Sequence, residues 1–192
     1  MEQKQSLINH FAQSLTGAWE LVKLNPRAMD YFDKSADGFW KSFWAIALVA
    51  PVFFLGLNIS YDAAVAQGHQ ISLTAHVVEF LFRLPLIALV MIFFTRFLRI
   101  DAHYSDMIIA FNWLWVIANY ILLPLSMLIS MNILPIEVAT LGVVAIAIYL
   151  ELYVTWFLYK VSLKVSGWLA FGVMVFKALF TLSVMQVIIR VF

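Results

Sequence analysis

After residue 38 the chain consists almost entirely of five long apolar runs, separated by short connectors and carrying very few charges inside them. Each run reaches the roughly 20 residues an α-helix needs to cross the hydrocarbon core of a bilayer. In lipid every backbone N–H and C=O must be bonded within the protein, which a helix achieves and an open strand does not. The runs therefore predict spans at 39–60, 72–96, 104–130, 135–159 and 168–190, joined by connectors 61–71, 97–103, 131–134 and 160–167. The fold class expected is an all-α integral membrane protein: an interfacial segment over 1–38, then a domain of five transmembrane helices over 39–192. Composition agrees, with 64% hydrophobic residues where a soluble domain has about half.

The lead-in has its own pattern. Leu7, Ile8, Phe11, Leu15, Ala18, Trp19 and Val22 recur at three- and four-residue spacing, while Lys4, Asn9, Gln13, Glu20 and Lys23 fall on the other side. This predicts an amphipathic helix over 3–24 that lays Leu7, Phe11, Leu15 and Trp19 onto the membrane interface. Asn25-Pro26 ends it, since the residue before proline is pushed out of helical geometry. A short helix is expected across 27–34, with Asp37 as N-cap of the first span. Pro135 suits the first turn of the fourth span, with Glu137 near its positive end. The first forty residues hold no apolar core of the signal-peptide kind, so no cleavable leader is expected.

Basic residues are placed asymmetrically. Lys4, Lys23, Arg27, Lys34 and Lys41 precede or open the first span, Arg96 and Arg99 flank the second connector, and Lys160 and Lys164 lie in the fourth; the first and third connectors contain no Lys or Arg. The positive-inside rule then puts the N-terminus in the cytoplasm and, after five crossings, the C-terminus outside.

Four ionisable residues sit within the spans: Glu79, Arg83, Glu151 and Lys177. A charge at mid-bilayer opposes insertion by roughly 2.5–3.5 kcal/mol, so each should face the bundle interior and find a partner. Glu79 and Arg83 are four apart with the acid first, the favourable order for a same-helix pair, and Ser72 and His76 extend that polar stripe. Glu151 and Lys177 each lie about nine residues from the cytoplasmic ends of the fourth and fifth spans, which matches their depths and predicts an interhelical pair. Thr155 and Thr181 continue those two faces. On the third span Ser105, Asn112, Asn119 and Ser126 recur every seven residues, which marks either a packing seam with interhelical hydrogen bonds or a polar path for a solute, ion or proton. Pro51, Pro85 and Pro124 interrupt three of the spans.

Most site chemistry is missing. Without cysteine there are no disulfides, thiolate metal sites or cysteine nucleophiles. A net charge of +1 offers nothing to nucleic acid. Asp101, His103 and Asp106 suit the start of a helix better than a metal, and His69, His76 and Glu79 make a thin zinc set. No paired aspartates, HExxH or phosphate-cradling glycine loop occurs. No enzyme, cofactor or metal site is expected.

The segments DKSADGFWKSFWAIALVAP (33–51), YSDMIIAFNWLWV (104–116) and WFLYKVSLKVSGWLAFGVMV (156–175), in a five-span layout, resemble the Yip-domain family of Ypt/Rab-interacting membrane proteins. The resemblance covers about residues 27–190 and implies the same five-span, cytoplasmic-N-terminus architecture. Eukaryotic members carry a longer cytosolic region and are linked with small GTPases and vesicle traffic. The short lead-in here is similar to the bacterial members, which implies the bacterial inner membrane and carries over no functional residue. The function expected is a non-enzymatic scaffold or accessory subunit, with the bilayer and either a protein partner or a second copy of itself as partners. The alternatives are a small oligomeric transporter or channel using the polar path, and a lipid-handling protein.

Overall fold

The structure, a computed structural model, describes residues 7–66, 68, 71–131, 133 and 136–192, with side chains described at all of these except 60, 62–64, 66, 126, 129–130, 136–137 and 139–140. Among the described residues there is no strand, and five helical stretches are long and apolar enough to cross a membrane. Helix α1 (Leu7–Val22) leads through a 3-10 turn (Pro26–Tyr31) to α2 (Ala36–Ser42) and α3 (Ala45–Ala66). Then come α4 (Leu73–Phe97), α5 (Tyr104–Ser130), α6 (Ile136–Ile148), a π-helical turn (Tyr149–Val154), α7 (Thr155–Ser162) and α8 (Gly167–Val191). Residues 1–6 and Pro135 lie outside the described residues, as does the side chain of Glu137.

The membrane-length helices form a ring in which α3 touches α4, α4 touches α8, α8 touches α7, and α5 closes the circuit between α7 and α3. Helices α1 and α2 also pack on α5. As a result Met107 to Leu114 are buried without interruption, which in a helix means that every face is covered. Packing is graded along the axis. In α8 the buried residues are Ala170, Val173, Met174 and Lys177, and in α5 none beyond Val116 is buried among those described. The half nearer α1 is close-packed, with Phe94 stacked on Phe176 at 3.7 Å, and the other half is looser. Three helices end at the α1 side in the same way. Leu24, Arg99 and Lys164 take the left-handed conformation. The amide after each bonds a carbonyl five residues back: Asn25 to Glu20, Ile100 to Thr95 and Val165 to Lys160.

Several expectations are corrected. The first span is not continuous over 39–60: it breaks at Phe43–Trp44 into α2 and α3, and α3 runs on to Ala66. Its N-cap is Ser35, whose Oγ accepts from the Gly38 amide at 3.0 Å; Asp37 instead sits in the first turn and pairs with Lys41. The expected helix at 27–34 is the 3-10 turn at Pro26–Tyr31, with Asn25 as its cap. The lead-in helix packs on the bundle through residues outside the expected interfacial set. The stripe buried against protein is His10, Ser14, Gly17, Ala18 and Leu21, while Leu7, Ile8 and Trp19 are exposed and Phe11 and Leu15 lie half-buried at its edge.

Candidate functional site

Both ion pairs form. On α4 the Arg83 Nε donates to Glu79 Oε1 at 2.6 Å. Across the bundle the Lys177 ammonium of α8 donates to Glu151 Oε1 of the π-helical turn, and its Nζ stands 5.4 Å from the centre of the Phe111 ring. The pairs border open space. Arg83, Glu151 and Lys177 line a cavity of about 290 Å³, together with Asn119, Thr155 and Thr181. A site holds a water molecule from roughly 10–15 Å³ upward, so this space is far too large to be a packing defect. Its walls come from α4, α5, α8 and the fourth membrane-length stretch. A second cavity of about 280 Å³ lies against His76 and Gly56 and shares Asn119 and Leu122 with the first.

The π-helical turn sets the position of Glu151. Such a turn adds a residue to the helical circuit and re-aims the side chains around it. Thr155 closes it, donating both its amide and its Oγ1 to the Leu150 carbonyl, the latter at 3.0 Å, while Oγ1 also lies 3.3 Å from Glu151 Oε2. Nothing in the amino-acid pattern announces this turn, which lies inside the helical stretch that runs from 136 to 162 where the span 135–159 is expected.

The heptad stripe of α5 is not a uniform seam. Asn112 is buried and donates to Ser42 Oγ of α2 at 2.8 Å, and Ser42 in turn donates to the Phe39 carbonyl. Asn119 donates to its own helix, at the Trp115 carbonyl, and faces both cavities. Ser105 lies half-buried near the start of α5, and the side chain of Ser126 is outside the described residues. On the α4 stripe His76 Nδ1 lies 2.8 Å from the Ser72 carbonyl, and Ser72 Oγ caps the helix by accepting from Ala75. Among the described residues no three of His, Asp and Glu gather as a metal site; His103 pairs with Asp106 at 3.2 Å, and His69 lies outside the described residues.

Helix α1 reaches this site from outside the ring. His10 and Phe11 pack on Trp113 of α5, and the Val22 carbonyl accepts from Tyr149 OH in the π-helical turn at 2.7 Å. The interfacial set Leu7, Phe11, Leu15 and Trp19 is thus split between this contact and the outside. Sequence reasoning missed His10, Trp113 and Tyr159, whose polar atoms Nε2, Nε1 and OH are buried with no hydrogen-bond partner among the described residues. The small residues Ser14, Gly17 and Ala18 were the available signal for the docking face.

His10 is 4% exposed and its Nδ1 lies 3.8 Å from Asp33. Burial lowers its pKa below the ordinary 6.5; Asp33 and Asp37 pull it upward and Lys41 adds to the lowering. The unfolded or undocked chain therefore takes up a proton first as pH falls. The contribution of His10 to docking is fully present above about pH 6.5 and is lost as pH falls from there toward the folded value. In this cysteine-free chain a spin label on Thr16→Cys should be immobile at about pH 7.5 and more mobile at about pH 5.5, a change that His10→Leu removes. Equal mobility at both pH values in the parent chain would disprove it.

No protein-family model, no curated protein and no solved structure matches this chain.

Proposed function

We propose that this chain is a non-enzymatic membrane protein that binds and passes a small polar solute through its helical bundle. One observation carries the reading: three of the four intramembrane charges, Arg83, Glu151 and Lys177, line a cavity of about 290 Å³. Ionisable groups at membrane depth that line a water-sized space are the recurrent mark of solute and ion pathways. The accessory-subunit reading draws its support from charges that cancel and leave nothing to bind. They do cancel, but they do so around open space, and this favours solute handling. The second cavity beyond Asn119 supplies room toward the end of the bundle opposite α1. The close-packed half around Trp113 and Tyr159 closes the α1 end.

The proposal includes the bacterial inner membrane with the α1 end in the cytoplasm. The orientation is supported by Lys23, Arg27, Lys34, Lys41, Arg96, Arg99, Lys160 and Lys164, all in elements or connectors of that end, and the choice of membrane by the resemblance to bacterial Yip-domain proteins alone. Proteoliposomes holding the native chain should admit glycerol, urea, glycine or protons faster than empty vesicles, read by light scattering and an internal pH dye. Ala118→Phe puts bulk into the cavity while leaving all four charged residues in place, and should return the rate to that of empty vesicles. If native vesicles are no more permeable than empty ones to any of these, the reading fails and the accessory-subunit function takes its place.

A further inference from the structure

We propose that the cavity is a site for a small zwitterion, its carboxylate taken by the open guanidinium nitrogens of Arg83 and its ammonium by Glu151. This rests on the solute-handling reading and names its ligand.

Charge balance decides the kind of ligand. Glu79 and Arg83, Glu151 and Lys177 make a set of two acids and two bases with no net charge. A simple anion entering there would satisfy Arg83 or Lys177 but would add an uncompensated charge beside two carboxylates. A simple cation would do the same beside two bases. An unbalanced charge away from bulk water is the costly case. A zwitterion brings both signs at once, so each of its ends takes a share of one pair and the total stays neutral.

The hydrogen-bonding groups fit the same ligand. Arg83 spends its Nε on Glu79, and its side chain is 35% exposed where it lines the cavity. A guanidinium has five N–H donors in a fork shaped for carboxylate, and one of them is used in this bond. Glu151 gives one oxygen to Lys177, and its side chain is 51% exposed. Asn119 commits its Nδ2 to Trp115, which leaves its Oδ1 as a further acceptor for an ammonium. The volume sets the size: about 290 Å³ is just below the roughly 300–1,000 Å³ range of ligand pockets, which suits a molecule as small as glycine or β-alanine rather than a nucleotide or a lipid.

The test uses the whole chain in nanodiscs, titrated with glycine, β-alanine and betaine at constant ionic strength, with acetate and methylammonium as the separated halves. The thermal unfolding midpoint should rise saturably with at least one zwitterion and with neither half alone. Arg83→Lys retains the charge opposite Glu79 but not the fork, and should weaken binding by about tenfold or more, the worth of one charge-assisted hydrogen bond. Ala118→Phe should abolish binding. A midpoint unmoved by all three zwitterions overturns the inference, and so does an equal rise with acetate or methylammonium alone. Binding of a half alone would leave solute handling standing with a different ligand. Zwitterion binding without any vesicle permeation would keep the site and remove the transport function.

Discussion

Replacing Glu151 with leucine should destabilise the folded chain by about 3–5 kcal/mol, because it strands a buried ammonium. Lys177 has only 6% of its side chain exposed, and once the carboxylate is gone its charge keeps the Phe111 ring at 5.4 Å but no paired acid among the described residues. The converse change, Lys177→Met, should cost less, about 1–2 kcal/mol, since the Glu151 side chain is 51% exposed and keeps Thr155 Oγ1 within 3.3 Å. The double variant, Glu151→Leu combined with Lys177→Met, should lie closer to the native stability than Glu151→Leu alone, as apolar replacements of a buried pair often do. Thermal unfolding of the three variants in one detergent reads all of this. Equal losses from the two single changes would show that the pair is not placed as unequally as the structure has it.

The second large effect is expected at Gly38. A methyl group there would stand 2.1 Å from the Asp33 carbonyl oxygen and 2.9 Å from its carbon, both backbone atoms with no freedom to swing aside. Gly38→Ala should therefore cost about 3 kcal/mol, the upper end of overpacking effects. The damage should also spread, because Asp33 accepts from the Ser35 amide at 3.0 Å and faces His10 at 3.8 Å. Moving Asp33 disturbs the start of α2 and the seat of α1 together. Gly172→Ala is the matching control. Nothing lies within 4 Å of its added carbon, and inside α8 alanine should be favoured by about 0.5–1 kcal/mol. Limited proteolysis at Lys23 and Arg27 should accelerate in the Gly38 variant and stay unchanged in the Gly172 variant. The same rate in both would refute the coupling.

How much of this could be read from the residues follows from what lipid does to sequence patterns. Charges are scarce in a span, so Glu151 and Lys177 could be matched by counting helical rise, and the structure joins them. The third span emerges at Tyr104–Ser130, where its apolar run begins and ends. The docking face of α1 was not readable in the same way. Apolar periodicity finds where the greasy residues are, but lipid and protein interior are equally apolar, so it cannot say which of them those residues will meet. Packing against the bundle selected Ser14, Gly17 and Ala18 because small side chains let helices approach, and left Ile8 and Trp19 outward. The π-helical turn at Tyr149–Val154 and the break at Phe43–Trp44 are tertiary adjustments inside largely apolar runs. No glycine or proline marks either one. The cavity escaped for the same reason, since the residue pattern located its polar side chains but not the space between them.

The hold of Tyr149 on the Val22 carbonyl changes how the chain can be handled in practice. Trimming the lead-in to obtain a tidier membrane domain would uncover Trp113 and take away the acceptor of Tyr149, two positions from Glu151. A shortened form is therefore a poor surrogate for the whole, and a loss of activity on truncation would speak about the site rather than about a missing attachment point.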